Sequence, residues 1–393
     1  MTQVAEASDR TKRRITRLGD LTPGQQSAIR QIPAEKDAVS VPLEAERPNA
    51  IFTGKPRYEA EQQKIFRRFP VPVTLEAVLA EPGSIVAIEA YGVPLLVSRT
   101  REGVIKVFVN SCQHKGSKLI EDCDVHVQGR LTCPYHAWTY GIDGKLIGVA
   151  RADMFQGLDK SKRGLKELPS KVWGGVVYAQ LDGTEPDFSN LSDDIASDFA
   201  ALGIAQSHVY GRKVFDLKAN WKLVLEPFLE GYHVQRLHAA SIGNLFVDAP
   251  SIVDSFGPNI RQVSGRIGYY PAMLDEDPDG NVHKLVTHAY TVFPNLVVVT
   301  SQYYTSVMIL MPLDVDRTIV HYFMLTPEPA SSAKADEVFK RSYEIILNVF
   351  GNEDFRAAQI CQAGLATGVP ATTLYCGLEE NIVRYYDAFE KLL

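Results

Sequence analysis

The chain has 393 residues, of which 45% are hydrophobic and 22% are charged, with a formal net charge of -6. The length favours more than one domain, and the excess of acidic residues argues against nucleic acid as a partner. The sequence contains no run of about 18 apolar residues, so no membrane-spanning helix is predicted. The polar N-terminus lacks the apolar stretch of a secretory signal, and five cysteines without disulfide spacing predict a reducing, cytoplasmic compartment.

The first half of the chain changes from a polar segment to a series of short strands. Residues 1–55 are rich in charged residues, Gln, Ala and Pro, which predicts an N-terminal arm. A helix is predicted over 58–66. The runs SIVAIEA, VPLLVSR and VIKVFVN then show strand composition and are separated by turn residues. Residues 56–185 are therefore predicted to form a small, mostly β domain.

The second half has a mixed pattern. The polar stretch from residue 190 to Asn220 has helical character. The runs TVFPNLVVVT, YYTSVMILMP and RTIVHYFMLT are rich in β-branched and aromatic residues and predict an antiparallel sheet. Apolar residues at helical spacing predict helices over 335–350 and 380–392. Residues 186–393 are thus predicted to be an α+β domain whose sheet is flanked by helices, which makes the whole chain α+β.

Two loops in the β domain carry a pattern of metal ligands. Each loop holds one cysteine and one histidine: Cys112 and His114, then Cys133 and His136. Such a set can bind Zn²⁺, or a 2Fe–2S cluster with both histidines on one iron. Gly116 and Pro134 allow tight turns in these loops. The second pair lies in a strand-turn-strand pattern, whereas a zinc finger would place it on a helix, so the pattern favours the cluster.

A second candidate metal site lies in the other domain. It reads Glu230-x-x-His233-x4-His238, and two histidines with one carboxylate can bind Fe(II) while leaving positions open for O₂. Glu230 and His233 can project together from a helix. On an ideal helix His233 and His238 would be about 140° apart, so the helix must end or bend between them.

The two patterns together resemble the α subunit of a Rieske non-haem iron oxygenase of the ring-hydroxylating type. The loops match C-x-H-R-G and C-P-Y-H-G-W, with Lys115 and Ala137 replacing the usual Arg and Gly. The segment from NWK to H-x4-H matches the mononuclear iron motif, with Pro227 where Asn is common. The resemblance covers about residues 60–390, and it implies a Rieske 2Fe–2S domain followed by a helix-grip-like catalytic domain with one mononuclear Fe(II).

The resemblance also implies roles for individual residues. His233 and His238 fall on iron-ligand positions, and the third ligand is expected in an E-D pair, as Asp354 with Glu353 as the alternative. Glu230 falls where most members have an Asp that is not a ligand. That residue hydrogen-bonds a cluster histidine of the neighbouring subunit, so Glu230 is expected to form the inter-subunit electron-transfer bridge. We expect Tyr135 and Trp138 to cover the cluster, where a hydrogen bond to sulfur raises the reduction potential.

As a function, the resemblance implies a terminal oxygenase. Electrons would come from a partner reductase, with or without a ferredoxin, and pass through the cluster to the iron, where O₂ reacts with a small organic substrate. No dinucleotide-binding motif is present, so NAD(P)H oxidation is expected on the partner. The resemblance also implies a homotrimer rather than an assembly with a β subunit, because the chain length is closer to that of the family's homotrimeric members than to that of the longer α chains. Hydroxylation, dihydroxylation and oxidative demethylation share these ligands, so the sequence does not separate them.

The predicted pocket favours an aromatic substrate because its lining is apolar and aromatic. The predicted lining residues are Phe228, Val234, Leu237, strand residues within 292–311, and Leu347 or Phe350. His288 is expected to be a structural histidine, with a role in the pocket as the alternative. A quaternary ammonium substrate is the alternative, because family members with Glu at the bridging position include such enzymes. Two other classes are a Rieske electron carrier without oxygenase activity and a structural zinc protein. Such carriers lack the segment from Glu230 to His238.

Overall fold

The computed structural model of the protein describes residues 15–393, so the first 14 residues of the predicted arm lie outside the described residues. It confirms the predicted α+β class, with five antiparallel sheets and helices packed around them. Within residues 15–393, no helix is both long and apolar enough to cross a bilayer.

The N-terminal segment packs on the catalytic sheet of its own chain. Helix α1 (Pro23–Arg30) starts after Thr22, whose hydroxyl accepts the N–H of Gln25. The Gln25 amide donates to the Tyr290 hydroxyl at 2.8 Å, and Ile29 is buried in an apolar cluster with sheet residues. Strand β1 (Ala45–Pro48) pairs with the late strand β20 (Thr372–Tyr375). This segment therefore borders the catalytic unit, although the predicted domain boundary at residue 55 stays a prediction.

The β domain carries the two ligand loops at the ends of short strands. Helices α2 (Ala50–Thr53) and α3 (Lys55–Glu61) precede it, and α3 continues as a π-helical turn over Gln62–Phe66. The strands of this domain are β2 Val71–Leu75, β3 Ser84–Ala90, β4 Val93–Arg99, β5 Ile105–Val109, β6 Val125–Val127, β7 Arg130–Thr132, β8 Thr139–Gly141, β9 Leu146–Gly148, β10 Glu167–Leu168, β11 Ser170–Trp173 and β12 Val176–Ala179. Strands β10-β5-β4-β3-β6 form one sheet, β11-β12-β2 a second, and β7-β8-β9 a third.

The catalytic domain is built on a seven-stranded antiparallel sheet of order β13-β19-β18-β17-β16-β15-β14. The strands are β13 His208–Leu217, β14 Ile252–Phe256, β15 Asn259–Gly265, β16 Val286–Val292, β17 Leu296–Thr300, β18 Thr305–Asp314 and β19 Arg317–Thr326. The helices are α4 Asp193–Leu202, α5 Trp221–Leu225, α6 Val234–Leu237, α7 Met273–Glu276, α8 Ala333–Asn348, α9 Phe355–Leu365 and α10 Glu380–Glu390. A π-helical segment, Val349–Asp354, joins α8 to α9 without a break.

The helical prediction for the stretch before Asn220 is wrong over half of its length. Helix α4 is present, but β13 follows it and pairs along its whole length with β19. Most of β13 is partly or fully exposed, because it is an edge strand. Its polar residues therefore hid the strand pattern. Strands β14 and β15 were also missed.

A buried ion pair fixes the N-terminal helices to the catalytic domain. The Lys222 ammonium lies 2.8 and 2.9 Å from the two carboxylate oxygens of Glu61, and both side chains are fully buried. The Trp221 indole N–H donates to the same carboxylate at 2.9 Å. The Arg57 guanidinium donates to it at 2.7 Å. The NWK segment is thus held in place before the iron motif begins.

Candidate metal centres and substrate cavity

The four predicted cluster ligands come together at the tips of two loops. Cys112 and His114 follow β5, and Cys133 and His136 lie between β7 and β8. The two imidazole rings are 4.6 Å apart, and both cysteines are buried. The Nδ1 atom of His114 is buried and has no hydrogen-bond partner among residues 15–393. A buried lone nitrogen beside two thiols fits an iron–sulfur cluster, because a metal ligand must keep its lone pair free.

The loop backbone favours thiolates. Burial would raise the pKa of the Cys133 thiol. The backbone N–H groups of Tyr135 and His136, together with side-chain hydrogen bonds from Cys112 and Ser117, outweigh burial, so this pKa lies below its usual value. Ala137 adopts a φ of 55°, in the left-handed region, while its N–H donates to the Cys133 carbonyl. A residue with a Cβ loses roughly 1–2 kcal/mol there. This conformation explains why the family pattern has Gly at the position of Ala137.

Of the two residues predicted to cover the cluster, Trp138 lies where it was expected and Tyr135 does not. Trp138 is buried and stacks on His114 with an interplanar angle of 6°. Tyr135 is 61% exposed and lies outside, against His136. Tyr140, which was not predicted, also contacts the cluster loops: its hydroxyl is 3.3 Å from the Cys112 sulfur and accepts the Gln113 N–H at 2.9 Å. Tyr140 is two residues after Trp138 and lies in strand β8. Because alternate residues of a strand point to the same side, this spacing could have placed Tyr140 on the buried face with Trp138.

Replacing Tyr140 with Phe should lower the reduction potential of the cluster. The Tyr140 hydroxyl accepts the Gln113 N–H, so its own proton is free for the Cys112 sulfur. Such a bond stabilises the more negative, reduced cluster. Redox titration of the visible spectrum measures the effect, and Tyr135→Phe is the matched control, with an unchanged potential. Equal potentials in both variants would contradict this role.

The second centre gathers His233, His238 and Asp354 around one point. One ligand atom from each of the three side chains lies within 4.8 Å of the others. The Asp354 Oδ1 atom is 3.5 Å from Nε2 of His233 and 3.2 Å from Nε2 of His238. The two histidines flank the four-residue helix α6, so they are not on one continuous helical face. Because the helix is confined to the residues between them, His233 and His238 can face one metal ion, although five residues on an ideal helix would place them about 140° apart.

Two further carboxylates hold the histidine rings from behind. Glu230 Oε1 is 2.5 Å from Nδ1 of His233, and Glu353 Oε2 is 2.5 Å from Nδ1 of His238. Ser241 donates to the same Glu353 oxygen at 2.7 Å. Both Nε2 atoms are therefore left facing Asp354, an arrangement typical of metal-binding histidines. The helical expectation for Glu230 is wrong, since its backbone is extended (φ -143°, ψ 166°).

The geometry distinguishes the two members of the E-D pair. Asp354 is 2% exposed, and its Oδ1 atom is buried without a hydrogen bond among the described residues, despite the nearby imidazoles. A buried, unbonded carboxylate oxygen is costly unless a cation binds it. Glu353 already contacts the other nitrogen of His238. The residues present thus fit one metal ion held by His233, His238 and Asp354, with Glu353 outside it.

A cavity of about 130 Å³ adjoins this centre and has a mainly apolar lining. Phe228, Val234 and Phe350 line it, as does Val299 from the predicted strand region, whereas Leu237 and Leu347 are not among its described lining residues. Phe246, which the sequence did not indicate, adds a third aromatic ring. Three polar side chains also line the cavity: Gln262, Ser264 and Thr287.

His288 does not line this cavity. Its neighbours Thr287 and Ala289 do, so the imidazole of His288 points to the opposite face of the sheet. Both ring nitrogens are buried without a hydrogen-bond partner in the part of the chain that the structure describes. Burial holds the pKa of His288 well below its usual value, so the ring is neutral. His288 is therefore a buried structural histidine, as expected, and the alternative role in the pocket is wrong.

Comparison with known proteins supports both centres. The family model "Rieske [2Fe-2S] domain" matches residues 70–159, and "Ring hydroxylating alpha subunit (catalytic domain)" matches residues 204–389. The chain is 25% identical over 327 residues to the carnitine monooxygenase oxygenase subunit of Acinetobacter pittii, covering 81% of this chain and 84% of that protein. It is 32% identical over 197 residues to the anthranilate 1,2-dioxygenase large subunit of Acinetobacter baylyi, covering 48% and 41%.

A solved structure shares the fold. The crystal structure of the quaternary ammonium Rieske monooxygenase CntA, in complex with an inhibitor, has a TM-score of 0.76 to this chain. The match covers 91% of this chain and 97% of that one, at 19% identity. The arrangement of a β domain followed by a sheet-based catalytic domain is therefore shared over nearly the whole of both chains.

Proposed function

Since this chain belongs to the α subunits of the Rieske non-haem iron oxygenases, we propose that it oxidises a small quaternary ammonium compound with O₂. The single observation that carries the proposal is the set of His233, His238 and Asp354 at the wall of an apolar cavity with three phenylalanines. The sequence preference for an aromatic substrate thus becomes the second candidate. The 32% identity to an anthranilate dioxygenase subunit favours that second candidate.

The cavity suits a cation that cannot donate a hydrogen bond. A quaternary ammonium group has no N–H, so it is bound by aromatic faces and by nearby negative charge. Phe228, Phe246 and Phe350 offer three rings, and Phe228 and Phe350 stand edge to face with centroids 5.4 Å apart. Glu230 also lines the cavity, so it offers negative charge beside His233.

In this proposal each group of residues has one task. The Rieske cluster is held by the four loop ligands, Cys112, His114, Cys133 and His136. The mononuclear iron is held by His233, His238 and Asp354. When bound, the two centres supply single electrons and O₂ activation, and the electrons come from a partner reductase that oxidises NAD(P)H. We further propose a homotrimer in which Glu230, besides orienting His233, contacts a cluster histidine of the neighbouring subunit.

Replacing Glu230 with Ala should weaken iron binding by about 10- to 100-fold, because the His233 ring loses the group that orients it. Glu230→Gln should retain the iron, since its amide oxygen can still accept the Nδ1 proton. The rate of iron transfer to an added chelator measures the difference. If Glu230→Ala releases iron as slowly as the unaltered protein, the carboxylate does not orient the ligand.

The substrate class can be tested by turnover of the reconstituted protein with a surrogate reductase. Hydroxylation next to a cationic nitrogen consumes O₂, two electrons and two protons, and it yields one water and a carbinol that splits into a tertiary amine and an aldehyde. We expect substrate-dependent amine release from a quaternary ammonium panel, coupled to O₂ uptake. Coupled turnover with anthranilate or benzoate alone would instead establish the aromatic candidate.

A further inference from the structure

Among residues 15–393, Arg266 beside the cavity has no acidic partner. Arg266 follows β15 directly, so it continues the face on which Gln262 and Ser264 line the cavity. Its Nη2 atom donates to the Thr287 hydroxyl at 3.3 Å. Its guanidinium carbon lies 5.5 Å from the centre of the Phe246 ring. Thr287 and Phe246 both line the cavity, whereas Arg266 is not itself among its described lining residues, so the guanidinium lies directly behind these two side chains of the cavity wall.

The charge of Arg266 is poorly compensated. The side chain is partly buried, and its Nε atom is buried without a hydrogen-bond partner among the described residues. Within residues 15–393, no carboxylate pairs with it. Arg261, on the same strand, instead contacts Asp198 at 2.7 Å and Asp254 at 2.8 Å. Burial lowers the pKa of Arg266. The pKa of Arg261 is raised in spite of burial, because Asp198 and Asp254 stabilise its charge.

Resting on the proposed function, we propose that Arg266 binds a carboxylate of the substrate and that the substrate is a betaine, with a quaternary ammonium group and a carboxylate in one molecule. A planar guanidinium with free N–H groups can bind a carboxylate through two parallel hydrogen bonds. The three phenylalanines then receive the ammonium group. The same anchor would also serve an aromatic carboxylate, so it does not depend on the nature of the cation.

Equilibrium binding without O₂ tests the anchor on the reconstituted holoprotein. The ligands are glycine betaine, choline, which has an alcohol in place of the carboxylate, and anthranilate. Arg266→Gln should weaken glycine betaine binding by at least about 30-fold and leave choline binding within about twofold. Arg266→Lys should weaken glycine betaine binding by an intermediate factor, because lysine keeps the positive charge but lacks the planar guanidinium with its paired N–H donors. The matched control Lys284→Gln removes an exposed charge from a neighbouring turn and should change neither.

The outcomes separate the anchor from the proposed function. If the unaltered protein binds only anthranilate and Arg266→Gln abolishes that binding, the anchor stands and the quaternary ammonium proposal fails. If Arg266→Gln weakens choline and glycine betaine binding equally, the anchor is overturned. Arg266 would then only support the structure of the cavity wall through its contact with the Phe246 ring. Unchanged carboxylate binding in both Arg266 variants, or no binding of either carboxylate by the unaltered protein, would also overturn it.

Discussion

Asp354→Ala should remove the mononuclear iron and abolish turnover while the visible spectrum of the cluster stays unchanged. In the described part of the chain, the Asp354 carboxylate is the only one that faces both Nε2 atoms. Its loss leaves two histidines, too few to hold Fe(II) firmly. Metal analysis should show the loss of about one iron per chain. The cluster ligands lie in the other domain, so their absorbance reports whether the protein is otherwise intact.

Two neighbouring substitutions provide controls for this result. Glu353→Ala should weaken iron binding by about 10- to 100-fold yet leave a site that excess Fe(II) can fill, because Glu353 only orients His238. Asn352→Ala should have no effect, since its exposed amide contacts only Asn348 in the hydrogen bonds described. Normal iron content in Asp354→Ala, with complete loss in Glu353→Ala, would move the ligand to Glu353.

The second large effect concerns stability. Lys222→Met should lower the free energy of unfolding by about 3–5 kcal/mol, because it leaves the Glu61 carboxylate buried without its ammonium partner. Urea denaturation of the apoprotein, followed by tryptophan fluorescence, measures the loss. Trp221 reports on the site directly, since its indole donates to the same carboxylate.

Matched variants isolate the buried charge. Lys218→Met removes an exposed lysine four residues earlier and should change stability by no more than about 0.5 kcal/mol. The double variant Glu61→Gln with Lys222→Met should recover part of the loss, because no unpaired charge remains. A Lys222→Met protein as stable as Lys218→Met would show that Glu61 is adequately held by Arg57 and Trp221.

Sequence reasoning was strongest where burial on both faces imposed a composition. Ser84–Ala90, Val93–Arg99 and Arg317–Thr326 were predicted at the residues where the structure has them, because Val, Ile and aromatic residues dominate these central strands. The edge strand His208–Leu217 was missed because its exposed face is polar. Periodicity therefore identified the centre of each sheet better than its edges.

At the candidate site, the ligand types were predictable but their supports were not. The spacing indicated His233 and His238, whereas the E-D pair and the preference for Asp354 over Glu353 came from the family resemblance. The contacts of Glu353 with His238 and of Tyr140 with Cys112 join residues 115 and 28 positions apart. Local sequence can place Tyr140 on the same strand face as Trp138, but it does not name the distant partner in either contact, because both contacts arise from tertiary packing.

The most direct test of the two-centre account is the content of iron and acid-labile sulfide, combined with low-temperature EPR of the dithionite-reduced protein. The account predicts about three irons and two sulfides per chain after anaerobic reconstitution, with a Rieske-type signal of low average g. Two irons with two sulfides would contradict the mononuclear site and leave an electron carrier. Zinc without sulfide would contradict both centres.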